Sequence, residues 1–249
     1  QLPEQLVIYR GLDHPNERLV ELLLLAGEAR ALGAQRLLLV APYLAYMRQD
    51  IAFNPGEVVS QRIIGRFLAE HFDGLITVDP HLHRVARLQE AVPLADAVTL
   101  SGAPALAELI ARQRPHALLI GPDAESAQWI EAAASTHGFD HAVCSKERHG
   151  DRDVQVTLPD VALDGRQVVL LDDIASSGRT LAQACRKLLA AGASSVDVAV
   201  THALFAGDAL ATIHAAGVTE VWSTDCIAHP SNALHMAPYL AGALRQLLR

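Results

Sequence analysis

Only three of the 249 residues are cysteine: Cys144, Cys185 and Cys226. They are odd in number, far apart and never spaced C-x-x-C. No disulfide framework can be read from them, and a reduced, cytosolic compartment is the expectation. Basic residues are also scarce, 20 Lys and Arg against 28 Asp and Glu, for a net charge of −8. A general nucleic-acid binder needs a basic face, so that class is excluded. An anionic small substrate is not excluded, because a site can be locally basic. No apolar stretch is long or uninterrupted enough to span a bilayer, so no membrane partner is expected. No signal-peptide pattern stands at the start. The chain opens at Gln1 without Met, so a further N-terminal piece is expected. Low-complexity tracts and long linkers are absent. Aromatics make up only 4% of the chain, whereas 51% is hydrophobic, mostly Ala, Leu and Val. That composition suits helices packed on sheets, and the length suits one large or two ordinary domains.

Short apolar runs alternate with helical patterns. Runs at 6–9, 36–40 and 75–78 read as buried strands. The stretches 17–32 and 58–71 read as helices, the first with Leu19, Leu22, Leu23 and Ala26 on one face and Gly33 at its end. The pattern restarts near residue 101, where Ser101 reads as an N-cap. Helices are expected at 104–113, 125–137, 181–191, 206–215 and 237–248, and strands at 117–120, 141–145, 168–171, 196–201 and 220–223. Strands and helices alternating at this spacing argue for βαβ units and parallel sheets. The expected fold is α/β with two halves of similar build meeting near residues 96–104.

The most informative stretch is 168–181, VVLLDDIASSGRTL. Four apolar residues with no polar break suit a strand buried on both faces. Asp172 and Asp173 follow, just past the expected strand end. Then comes a turn of small and hydroxyl residues, Ser176, Ser177 and Gly178, with Arg179 and Thr180, and a helix. Backbone N–H groups of such a loop, with the helix N-terminus, can bind a phosphate. The two carboxylates can accept hydrogen bonds from sugar hydroxyls, and Gly178 lets the backbone approach an anion closely. The plain alternative is a strand–turn–helix with an acidic pair on the surface. The segment resembles the ribose-5-phosphate loop of the type I phosphoribosyltransferases and of ribose-phosphate pyrophosphokinase.

Other candidates sit in loops after strands, where parallel sheets bind ligands. Arg48 and Gln49, with Asp50, follow the second strand; Arg48 reads as a solvated loop arginine or as a bidentate phosphate clamp. His81, in Asp79-Pro80-His81, could complete a Mg²⁺ shell otherwise made of phosphate oxygens and water, since Mg²⁺ prefers oxygen. His81 and His83 could equally point to zinc, but no third ligand at zinc spacing is visible. His83 reads equally well as locally hydrogen-bonded. Asp123 is an N-cap acid or a water-mediated Mg²⁺ contact. Lys146 and Arg148 open the charged stretch SKERHGDRD. Such a run is a solvated hairpin or loop, or a mobile loop that closes on substrates and stabilises a transferring phosphoryl group.

Taken in order, these segments resemble the ribose-phosphate pyrophosphokinase family over nearly the whole chain. Asn16-Glu17-Arg18-Leu19 with ELL is similar to its N-D-N-L-M-E-L-L helix start, and PYLAYMRQD to P-Y-x-x-Y-x-R-Q-D. ITVDPHLH is similar to I-T-x-D-L-H, GPDAES to S-P-D-x-G-x, SKER to the catalytic-loop K-x-R, and THALFAGDAL to T-H-x-L-F-x-G-x-A. The resemblance implies two phosphoribosyltransferase-like domains, each a mainly parallel sheet flanked by helices, with the active site between them. Residues 1–100 would form the first, joined by a C-terminal helix at 236–249, and residues 101–235 the second. It implies transfer of pyrophosphate from ATP to ribose 5-phosphate, Mg²⁺ as cofactor, and a homo-oligomer, dimer or hexamer, in which a neighbour lends part of the ATP site. Arg48 and Gln49 would contact ATP, and His81 and Asp123 would serve Mg²⁺. Lys146 would be the catalytic lysine with Arg148 its partner. Asp172 and Asp173 would hold ribose hydroxyls, and Ser176, Ser177, Gly178, Arg179 and Thr180 the 5-phosphate.

The chain also departs from the pattern. The family's F-x-D-G-E adenine segment would lie before Gln1. Ser176 replaces an acid, Glu125-Ser126 replaces a Gly-rich pair, and 51–57 lacks the usual basic residues. A divergent subclass or a non-catalytic regulatory homologue would account for these changes. A phosphoribosyltransferase that consumes the product shares the sugar-phosphate loop but has no reason to carry PYLAYMRQD, DPH and SKER in this order.

Overall fold

The computed structural model describes residues 2–52, 54–82, 84–149 and 153–248, with backbone alone at 146–149 and 153–155. The chain divides into two compact units, Gln1–Leu100 with Met236–Arg249, and Ser101–His235.

The first unit runs β1 (Gln5–Tyr9), α1 (Pro15–Ala31), β2 (Arg36–Ala41), α2 (Ser60–His71), β3 (Gly74–Val78), α3 (Leu88–Ala91) and β4 (Asp96–Leu100). The four strands are parallel and lie in sequence order. Leu37, Leu39 and Leu75 pack with Leu22, Ala26, Leu68 and Leu88 of the helices. Leu38, Val40, Ile76 and Val78 are buried as well, which is why β2 and β3 show no polar alternation. A helix from the far end of the chain, Ala237–Leu247, packs beside β3 and β4. At Gly65 a Cβ would stand 1.8 Å from the Ala91 carbonyl oxygen, so α2 and α3 can meet there only over glycine.

The second unit runs α4 (Ala103–Gln113), β5 (Leu118–Gly121), a 3₁₀ turn (Ala124–Ser126), α5 (Ala127–His137), β6 (His141–Val143), β7 (Ser145–His149), β8 (Asp153–Thr157), β9 (Gln167–Ala175), α6 (Arg179–Ala190), β10 (Ser195–Ala203), α7 (Ala209–Ala215), β11 (Val218–Thr224) and β12 (Asn232–Leu234). Six strands form one parallel sheet in the order β12-β11-β10-β9-β5-β6. Val169 and Leu171 of β9 pack with Leu106, Ile110 and Ile130 of α4 and α5. Val168 and Leu170 pack on the other side with Leu181, Cys185, Leu188 and Ile213 of α6 and α7. Helices on both faces thus account for the unbroken apolar run.

One sequence expectation changes. β9 is nine residues long, so Asp172 and Asp173 lie inside the strand rather than beyond it. Pairing with β10 carries it on, through Val200↔Asp172 to Ala203↔Ala175. Of the readings open for the charged stretch, the hairpin is the one seen: β7 and β8 pair antiparallel from Ser145↔Thr157 to His149↔Asp153. The alternating valines of DVQVT favour extended backbone there. Cys144, Cys185 and Cys226 are buried, and none of them is in a disulfide. Among the described residues no helix is long and apolar enough to cross a membrane.

Candidate active site

From β5 the second unit's sheet grows to β6 on one side and, starting with β9, to β12 on the other. Where strand order turns round, loops at the carboxyl ends part and leave a ligand crevice. Asp123 follows β5, and Ser176 to Thr180 follow β9. β5 pairs with β9 only as far as Ile120↔Leu170. The part of β9 that bears Asp172 and Asp173 is therefore paired with β10 alone.

Asp173 is 2% exposed, and its N–H donates to Asp172 Oδ1 at 3.0 Å. Asp172 keeps some surface, yet its carboxyl is held well above the ordinary range. Burial is the largest cause, and the Asp173 and Asp123 carboxylates add to it. Asp123 is fixed by the turn it starts: Oδ1 accepts from the Glu125 N–H at 3.1 Å and its carbonyl from the Ser126 hydroxyl. Asp172 thus feels both of the other carboxylates at the switch point.

The loop beyond them is built around Gly178, which stands at φ +69° at the head of α6. No side chain caps this helix, so N–H groups of its first turn are left for solvent or a ligand. A Cβ on Gly178 would meet Ile213 at 2.9 Å and the Ala209 carbonyl oxygen at 3.0 Å. Ser177 and Arg179 are exposed, and Ser176 and Thr180 partly so. The loop is pinned from behind: the Phe205 N–H donates to Ala175 O at 2.8 Å and the Ala206 N–H to Ser176 O at 3.0 Å. Gly178→Ala is expected to destabilise by about 1–3 kcal/mol, the scale of left-handed strain in a residue with a Cβ. Thermal melts with and without inorganic phosphate should show a lower Tm and a smaller phosphate-induced rise.

In the first unit, Arg48 is exposed and Gln49 is half-buried in the loop after β2. Gln49 Nε2 donates to Ile51 O at 2.8 Å, and its carbonyl accepts from the Gln61 N–H at the start of α2. His81 lies in the loop after β3 at φ +56°, two residues beyond Asp79 at φ +35°. Both are positions that residues with a Cβ rarely adopt. His83 lies outside the described residues. Lys146 and Arg148 occupy alternate positions of β7, opposite Val156 and Val154; their side chains lie outside the described part.

The structure therefore gathers Asp123, Asp172, Asp173 and the 176–180 loop in the second unit, while Arg48, Gln49 and His81 belong to the first. Sequence reasoning missed two supports. Asp50, 6% exposed, accepts from Arg84 Nη1 at 2.6 Å and so ties the loop after β2 to the loop after β3. The other is Phe205, at φ +33°, whose ring lies 4.8 Å from that of His229. Asp50 and Phe205 each stand in a quoted motif, RQD and THALFAGDAL, but neither motif gives them this supporting role, and nothing local marks Arg84 or His229.

Residues 101–223 match the family model described as phosphoribosyl transferase domain, and residues 4–71 that described as N-terminal domain of ribose phosphate pyrophosphokinase. The chain is 32% identical over 250 residues to a ribose-phosphate pyrophosphokinase of Methanopyrus kandleri, spanning 99% of this chain and 84% of that protein. It is 35% identical over 228 residues to one of Halobacterium salinarum, spanning 90% and 78%. A crystal structure of phosphoribosylpyrophosphate synthetase from Mycobacterium smegmatis superposes with a TM-score of 0.81 at 23% identity, covering 98% of this chain and 82% of that one, and is alike in fold.

Proposed function

The chain belongs to the ribose-phosphate pyrophosphokinase family, and from that premise we propose that it makes 5-phosphoribosyl 1-pyrophosphate and AMP from ATP and ribose 5-phosphate. The observation that carries the reading is the switch point between β5 and β9. There, a buried carboxylate, Asp173, and a part-buried one, Asp172, precede an uncapped helix start headed by glycine. A pentose phosphate needs that pairing: acceptors for its hydroxyls and N–H donors for its phosphate. Asp172 and Asp173 take the ribose hydroxyls, and Ser176, Ser177, Gly178, Arg179 and Thr180 take the 5-phosphate. Arg48 and Gln49 hold ATP.

The ribose 1-hydroxyl attacks the β-phosphorus of ATP in line. Its oxygen bonds to that phosphorus, the bond from the β-phosphorus to the oxygen bridging the α-phosphate breaks, and AMP departs with that oxygen. The hydroxyl proton is lost to solvent. Positioning and charge neutralisation are the protein's share, and Lys146 with Arg148 neutralises charge on the moving group.

The donor set fits Mg²⁺. Carboxylates that raise one another's proton affinity favour a hard cation with oxygen ligands; Asp123 would hold it, and on the family resemblance His81 would serve it as well. Among the described residues no three His, Cys, Asp or Glu side chains gather as a metal cage, so phosphate oxygens and water would complete the shell. Bound there, Mg²⁺ would neutralise the polyphosphate. On the family resemblance alone, the protein acts as a cytoplasmic homo-oligomer, dimer or hexamer.

The test is incubation with ATP, Mg²⁺ and ribose 5-phosphate. AMP and 5-phosphoribosyl 1-pyrophosphate are expected in equal amounts. Neither product would overturn the reading in favour of a regulatory homologue, and consumption of added 5-phosphoribosyl 1-pyrophosphate with a nucleobase would favour a phosphoribosyltransferase.

A further inference from the structure

We propose that Lys187 of α6 is a positioning residue that fixes the root of the β7–β8 hairpin, and with it the backbone that carries Lys146. A lysine in the last turn of a helix ordinarily reaches into water and complements the helix dipole. Lys187 is half-buried, and its Nζ instead donates to the carbonyl of Val156. Val156 is fully buried, in the same core as Leu181, Cys185 and Leu188 of α6. In the hairpin register, Val156 stands opposite Lys146.

A second observation places the same ammonium near the other end of the hairpin's root. Cys144, immediately before β7, is 1% exposed, and its N–H donates to Gly121 O at 2.8 Å. Burial, then the Asp123 carboxylate, push the Cys144 thiol up to about 11, while the charge of Lys187 pulls it down. Lys187 is thus within electrostatic reach of the chain where it enters the hairpin and bonded to it where it leaves.

The placement matters because α6 is a single rod. Its first residue follows Gly178 of the phosphate loop, and Lys187 lies about 13 Å further along at 1.5 Å per residue. One helix therefore presents the sugar-phosphate loop at its start and holds the hairpin near its end. A charge-assisted bond to a backbone carbonyl is short and directional, so it sets hairpin position where a solvated lysine would not.

The inference rests on the reading of Lys146 as the catalytic lysine, and the test separates the two. Lys187→Met, Lys187→Arg and Lys146→Ala are compared by steady-state kinetics and thermal melts. Lys187→Met is expected to lower kcat about tenfold, a fraction of the 10²-fold that a 1 Å misplacement can cost, with both KM values nearly unchanged. Lys187→Arg, which can also donate from a cation, should recover most of that kcat. Normal kcat in Lys187→Met would overturn the inference, as would an arginine variant no better than the methionine one at equal Tm. If Lys187→Met does not fold, Lys187→Arg decides alone: near-normal kcat supports the inference and a tenfold loss at unchanged Tm overturns it. An inactive Lys146→Ala beside a normal Lys187→Met removes only this inference. A fully active Lys146→Ala removes the reading beneath it.

Discussion

Lys146→Ala is expected to lower kcat by about 10²–10³-fold, the range found when one charge-stabilising donor is removed from a transition state. KM for ATP and for ribose 5-phosphate should move far less. The asymmetry follows from the role: negative charge redistributes over the transferring pyrophosphoryl group only as the in-line displacement proceeds. An ammonium aimed at that charge is worth more in the transition state than in the ground state. The backbone supports such a use. Lys146 lies on a paired strand whose opposite residue, Val156, is anchored in the core, so its Cα is held by β-sheet and by packing. Initial rates with both substrates saturating measure the effect directly. Near-normal turnover would remove the hairpin from the chemistry and return its charges to the role of a solvated surface.

The strands were legible where helices cover both faces. Residues 168–171 are apolar without a break because successive side chains meet different helical layers, and 37–40 is likewise all apolar and buried. Other strands were not. β4, DAVTL, is short and lies at a sheet edge, and its first residue, Asp96, is committed to an ion pair with Arg36. β8, DVQVT, directly follows a run of charges that masks its start. The end of β9 was misplaced because two adjacent carboxylates argue locally against a strand, whereas pairing with β10 continues past them. The site divides the same way. Gly178 and its hydroxyl neighbours declared themselves by residue type, since a left-handed position before a helix demands glycine. The Asp50–Arg84 pair, the Phe205 and Ala206 amides and the Lys187 tether join residues that are distant along the chain. No window of a few residues contains both partners.

Asp172→Asn is expected to give a protein that is more stable and less active. The carboxyl of Asp172 is raised by burial, then by Asp173 and Asp123. A group whose folded pKa lies above its unfolded value contributes stability below the ordinary carboxylate range and loses it as pH rises through the raised value. Above that raised value Asp172 is charged beside the Asp173 and Asp123 carboxylates, and neutralising it while keeping its shape relieves the repulsion. A gain of about 0.5–2 kcal/mol, typical of relieving a functional-site cost, should appear as a higher Tm in melts run above the raised value. The gain should vanish in melts run well below the raised value, where Asp172 is already protonated. Activity should move the other way. An amide cannot replace a charged acceptor for a ribose hydroxyl, and losing a charged hydrogen bond of about 1.5–3 kcal/mol predicts a fall in kcat/KM for ribose 5-phosphate of about 10- to 10²-fold. In the unaltered enzyme the acidic limb of kcat/KM should lie above the ordinary carboxylate range, and Asp123→Asn should shift it to lower pH by removing one repelling charge. A variant that lost stability together with activity would make Asp172 a structural acceptor and separate it from the sugar. A higher Tm with unimpaired kcat/KM would likewise free the carboxylate from any part in holding ribose.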